Sequence, residues 1–127
     1  MITAREKVRD ELLLGALEGA LPLTAVDSSV TQWNPSASAT DVQNETIAVI
    51  RSLVSEGLFV LGDLSGEDGR LVTWNTPLDE LIQKISNVYI TQYDDPPAWV
   101  WSAWMELTDK GRQVARKLEA TSKDSLT

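Results

Sequence analysis

DVQNETIAVIRSLVSEGLFVLGDLSGEDGR, residues 41–70, is the stretch on which the fold turns. Ile47, Ile50, Leu53, Val54 and Leu58 recur at the three- and four-residue spacing of one helix face. Thr40 stands ahead of them as a capping residue, with Gln43 at the reciprocal position. Gly57 supplies the left-handed residue on which such a helix stops, turning Leu58 back toward Leu53. Beyond it, residues 58–64 and 70–74 are rich in large apolar side chains and flank Ser65-Gly66-Glu67-Asp68-Gly69, which predicts a hairpin with a glycine-bearing turn.

Working outward, Thr3 and Glu6 have capping-box spacing, and Val8, Leu12, Leu13, Ala16, Leu17 and Ala20 follow at helical intervals. This predicts a first helix over residues 4–19, with Gly19 and Pro22 as stop signals, and a shorter second helix over 23–32 before the small-residue loop 33–38. Downstream, Thr76-Pro77 opens another helix. Pro77 is expected at its first position, Asp79 and Glu80 suit its positive end, and Leu78, Leu81, Ile82, Ile85 and Tyr89 share one face. It should end near Tyr93, before Asp94-Asp95-Pro96-Pro97. Residues 99–107 alternate as a strand, and Thr108 caps a last helix whose buried side carries Gly111, Val114, Ala115 and Leu118. The expectation is one α+β domain over residues 1–127, with 121–127 as a frayed tail.

Composition narrows the chemistry. The 127 residues, 43% hydrophobic, include no cysteine and no histidine. Disulfides, thiolate nucleophiles, structural zinc and imidazole bases are therefore excluded by inventory. The carboxylate pairs Asp79-Glu80 and Asp94-Asp95 are accounted for by a helix first turn and a proline turn. No enzymatic activity, cofactor or metal is expected. The charged residues at 5–7 do not read as a targeting segment, and no apolar run approaches the roughly 18 residues of a membrane span. A cytoplasmic protein with no membrane partner is the expectation.

Two local patterns carry a resemblance. Leu53-Val54-Ser55-Glu56-Gly57-Leu58-Phe59-Val60 is similar to the junction of helix end, glycine and wing strand in winged helix-turn-helix proteins. Leu107-Thr108-Asp109-Lys110-Gly111-Arg112 resembles the strand-to-helix corner that closes many of them. The resemblance spans residues 4–120 and implies five helices, a small antiparallel three-stranded sheet, and a helical insertion, 76–98, between the wing and the closing strand. The chain also resembles small acidic bacterial proteins of actinobacterial type through residues 50–58, 62–64 and 74–80, a likeness that implies fold rather than activity.

Charge speaks against the role that the winged-helix resemblance suggests first. Residues 41–80 hold eight acids and two bases, residues 110–127 two acids and five bases, within a total of −8. A DNA reader wants Lys, Arg, Asn and Gln on its third helix and wing, because phosphate contacts supply most of its affinity. Here Gln43 and Asn44 suit adenine edges, but Asp41 and Glu45 flank them, and Asp63, Glu67 and Asp68 face a single Arg70. The expected function is a non-catalytic module binding a basic protein through Asp41, Gln43, Asn44, Glu45, Asp63, Glu67 and Asp68, as an immunity or antitoxin-type inhibitor of a basic toxin or nuclease would. A winged-helix transcriptional regulator is the alternative, and a homodimer a third arrangement. The cations of the last helix read as a solvated face. Trp99, Trp101 and Trp104 read as packing residues, with Trp104 and Trp33 as partner anchors wherever their cover is partial.

Overall fold

The computed structural model describes residues 3–64, 71–100 and 102–125. Thr3 accepts the Glu6 N–H at 3.1 Å and starts α1, Ala4–Gly15. The helix then tightens into a 3₁₀ turn, Ala16–Glu18, instead of continuing to Gly19. Next comes β1, Leu21–Pro22, a two-residue strand, and then α2, Leu23–Trp33. Helix α3, Ala39–Ser55, begins earlier than expected. Ser38 is its cap, with Oγ accepting the Asp41 N–H at 3.1 Å, so Thr40 lies inside the first turn. The three helices pack on one another around Val8, Leu12, Leu13, Leu23, Val26, Val30, Val42, Val49, Ile50 and Leu53, all buried.

The end of α3 matches its sequence signature. Gly57 adopts φ 75°. Its N–H bonds Val54 O at 3.0 Å and the Leu58 N–H bonds Leu53 O at 3.0 Å, the paired bonds of a Schellman motif. Leu58 and Leu53 are both buried, so the stop also seals the core.

The chain then enters β2, Phe59–Leu64, and returns on β3, Leu71–Thr73, with β4, Trp104–Leu107, on the other side of β2. All pairings are antiparallel in the order β1-β4-β2-β3. The described sheet thus has four strands where three were expected. The extra one is β1, which pairs Leu21 with Met105 and Pro22 with Trp104. Proline has no N–H to donate to a ladder and is tolerated there because β1 is an edge strand. The hairpin tip, including Glu67, Asp68 and Arg70, lies outside the described residues.

Between β3 and β4 come α4, Leu78–Tyr89, and a single turn, α5, Pro96–Trp99. Pro77 caps α4 from outside rather than occupying its first position. The strand expected from Trp99 starts only at Trp104, because Pro96 and Pro97 open a helical turn that buries Trp99 against Tyr89 and Tyr93. That turn makes six helices among the described residues, where five were expected. Trp101 lies outside them.

Helix α6, Asp109–Ser125, packs against α1 and β4. It runs past Ala120, where fraying was expected, and the Thr121 hydroxyl donates back to Lys117 O at 2.9 Å. Its start is docked onto the end of α3. The Thr108 N–H bonds Leu58 O at 3.0 Å, Thr108 Oγ1 donates to Gly57 O at 2.5 Å, and Lys110 Nζ donates to Glu56 O at 3.0 Å. A cation and two donors thereby meet the negative end of α3. The two sequence patterns that carried the resemblance are the two halves of this one joint.

Candidate functional site

Asp41, Asn44, Glu45 and Ala48 are spaced three and four apart on α3 and share one face. That face forms a wall of an open groove of about 530 Å³. Arg5 of α1, Val30 and Asn34 at the end of α2, Ala37 of the following loop and Val42 complete the lining. The lining is part polar and part aliphatic. Among the described residues, the side chains of Asp41 and Asn44 have no hydrogen-bond or ion-pair partner, and both are exposed. Asn34 donates Nδ2 to Val30 O at 2.9 Å.

Glu45 is engaged. Arg5 reaches it across the groove with Nε to Oε2 at 2.8 Å and Nη2 to Oε1 at 2.7 Å, the bidentate fork of a guanidinium on a carboxylate. Those bonds, with the charge of Glu45, raise the Arg5 pKa above its ordinary value. One helical turn on, Arg9 grips Glu56 through Nη2 to Oε1 at 3.0 Å and Nη1 to Oε2 at 2.9 Å. Ser52 donates to Glu56 Oε2 at 2.8 Å. Arg9 first, then Ser52, holds the Glu56 carboxyl below its usual range. Arg51 pairs with Asp79 at 2.7 Å. The acidity counted along α3 is therefore partly met by arginines from α1.

The structure brings three of the sequence-nominated residues, Asp41, Asn44 and Glu45, together on the groove. Gln43 does not join them: it is only 9% exposed, on the side of α3 that carries Thr46 and Ile50. Asp63, on β2, accepts the Trp74 indole N–H at 2.6 Å, while Lys84 sits 3.9 Å above the same ring. Trp104 is half-buried on β4, between Pro22 and Gly62. Neither Asp63 nor Trp104 lines the groove. Trp33 is half-buried, donating to Glu11 at 2.6 Å beneath Lys7. Glu67 and Asp68 fall outside the described residues. Arg5, Asn34 and Ala37 went unnoticed in the sequence. Arg5 and Arg9 of α1 meet Glu45 and Glu56 of α3, with Ser52 beside the second pair, a complementarity that only the helix pairing reveals.

A second polar cluster is internal. Asp27 of α2 accepts the Tyr89 hydroxyl at 2.5 Å and the Tyr93 hydroxyl at 3.1 Å. Burial first, then the bond to Asp27, pushes the Tyr89 phenol far above its ordinary range. Tyr93 is raised by burial and by the charge of Asp27. With Trp99 donating to Tyr93 O at 3.0 Å, the cluster ties α4 and the turn behind it to the three-helix core.

Among the described residues no group of three or more acidic side chains is arranged to hold a metal ion. No described helix is long and apolar enough to cross a membrane. Comparison with protein families, with curated protein sequences and with solved structures finds no match.

Proposed function

We propose that the chain is a non-catalytic acidic binding module on a winged-helix-like scaffold, and that the outward face of α3 meets a basic surface of a protein partner. The setting we favour is an immunity or antitoxin-type inhibitor of a basic toxin such as a nuclease. The succession of three helices, a hairpin and a closing strand-to-helix corner supports the scaffold reading, with α4 and α5 as the insertion. One observation carries the choice of partner. Among the described residues, Asp41 and Asn44 stand unengaged on an open groove, whereas Arg5, Arg9 and Arg51, the arginines of α1 and α3, each already hold a carboxylate. A cationic protein is offered unspent negative charge there. A phosphate backbone would have to break an ion pair for every arginine it recruits. Glu67 and Asp68 add to the long-range attraction that speeds encounter.

Affinity capture with the native protein tests this reading against the double substitution Asp41→Lys and Asn44→Lys, both at exposed positions, with circular dichroism confirming the fold. A basic protein held by the native chain and released by the variant is the expected result. Equal capture by both would overturn the reading. Salt-sensitive binding of duplex DNA that is lost on Arg51→Glu would favour a transcriptional regulator instead.

A further inference from the structure

We propose that the groove beside α3 receives a single arginine side chain of the partner, and that Arg5 is its intramolecular competitor. This rests on the protein-binding reading and sharpens it to one anchoring group. An arginine is a long apolar stem carrying a planar fork of donors, and it buries the stem while presenting the fork to carboxylates. The groove offers both requirements together. Its aliphatic surface comes from the half-buried Ala37 and Ala48, with the buried Val30 and Val42 also in the lining, which further carries the Asp41 carboxylate and the Asn44 amide, neither engaged among the described residues. A volume of about 530 Å³ is within the range that takes a whole small ligand, and ample for one side chain.

The molecule already displays the contact in question. Arg5 lays its guanidinium bidentate on Glu45, so this wall is shaped for a planar cation. Arg5 is a tethered occupant of the position a partner arginine would seek. Because the pair is partly exposed, with side-chain exposures of 50% for Arg5 and 26% for Glu45, its hold is weak enough to be exchanged. The local charge of the two lining carboxylates and one guanidinium remains negative with Arg5 in place, so an incoming cation is attracted before any exchange occurs. Asp41 is the first point of capture, and Glu45 becomes available as Arg5 swings out. Lysine satisfies only the charge and lacks the fork.

N-acetyl-arginine amide, its lysine counterpart and its citrulline counterpart serve as probes, the last keeping the shape of arginine without the charge. Titration of the whole protein is followed through the side-chain amide resonances of Asn34 and Asn44. Arginine should shift both saturably, lysine more weakly, and citrulline not at all. Asp41→Asn should weaken arginine binding. Arg5→Gln, which removes the competitor, should tighten it about two- to fivefold, the release expected for an exposed ion pair worth up to about 1 kcal/mol. Equal response to citrulline, or an arginine affinity unchanged or lowered in Arg5→Gln, would overturn the proposal. Were arginine to miss the groove while the Asp41→Lys and Asn44→Lys chain still released a basic partner, the anchoring proposal would fail and the binding module would stand.

Discussion

Replacing Gly111 with alanine tests the joint between α3 and α6. In an ordinary helix position the exchange stabilises by up to about 1 kcal/mol. Here a Cβ would lie 2.0 Å from Leu58 O, 2.9 Å from the Leu58 carbonyl carbon and 3.0 Å from Leu107 Cδ2. The leucine methyl can rotate away. The carbonyl cannot, because it accepts the Thr108 N–H at 3.0 Å and follows the left-handed Gly57. Carbon and oxygen settle at about 3.3 Å or more, so the start of α6 must withdraw by roughly 1 Å. Overpacking of this kind costs about 1–3 kcal/mol. The withdrawal also strains the Thr108 N–H bond to Leu58 and the Thr108 hydroxyl bond to Gly57, worth about 1 kcal/mol each. After the propensity gain, the net loss should be about 2–4 kcal/mol. In a domain of this size that lowers Tm by about 6–16 °C. Urea unfolding at neutral pH measures it as a fall in midpoint with unchanged m. Gln113→Ala, exposed on the same helix, should be near neutral. A Gly111→Ala protein as stable as the native one would refute the close approach.

Gly62→Ala places a Cβ 2.2 Å from Val72 O, so β3 should detach from β2, with the Trp74 N–H losing the hydrogen-exchange protection it gains from Leu61 O. Tyr89→Phe removes one of the two phenols on Asp27 and should cost about 1.5–3 kcal/mol by urea unfolding, the range for hydrogen bonds to charged groups. A smaller loss in an Asp27→Asn background would show that the charge is what the phenol serves. The Asp10 carboxyl is raised by burial, so its charged form opposes folding above its folded pKa and costs nothing below about 3.8. Asp10→Asn should accordingly raise the unfolding midpoint at pH 7 and match the native protein at pH 3. Glu56 has the opposite sign. Its lowered folded pKa means a stabilising contribution complete above about 4.5 and lost as pH falls through the folded value, so Glu56→Gln should be less stable at pH 7 and converge with the native protein in acid.

Local chemistry is what the chain announced most clearly. Gly57 and Leu58 could be read as a helix stop because the Schellman geometry needs nothing beyond its own six residues. Thr108 could be read as a cap for the same reason: its hydroxyl accepts the Gly111 N–H at 3.0 Å within the first turn. The strand β1 was illegible, since two residues with a proline carry no alternation and only Met105 and Trp104 make them a strand. Trp99 was misassigned because alternation along residues 99–107 is also satisfied when one tryptophan turns into an aromatic cluster with Tyr89 and Tyr93. In the candidate site, Asp41, Asn44 and Glu45 were nominated together with Gln43 for charge and polarity alone, which could not show that Gln43 turns to the buried side of the helix. Counting charges by block overstated their acidity, since the block count cannot see Arg5 and Arg9, about 40 residues away in sequence.

The joint between α3 and α6 also sets an order of events on the ribosome. Among the described residues, the carbonyls of Glu56, Gly57 and Leu58 find their partners in Thr108 and Lys110, and β2 finds its inner neighbour in β4. Three helices and a hairpin can therefore gather early, through contacts close in the chain, but the end of α3 and one edge of β2 stay open until the residues beyond 107 have emerged. A growing chain halted before that point exposes an unpaired strand edge beside the three unmet carbonyls that follow α3. Such a chain is poised to pair with another copy of itself, and it is the stage at which a chaperone has most to protect.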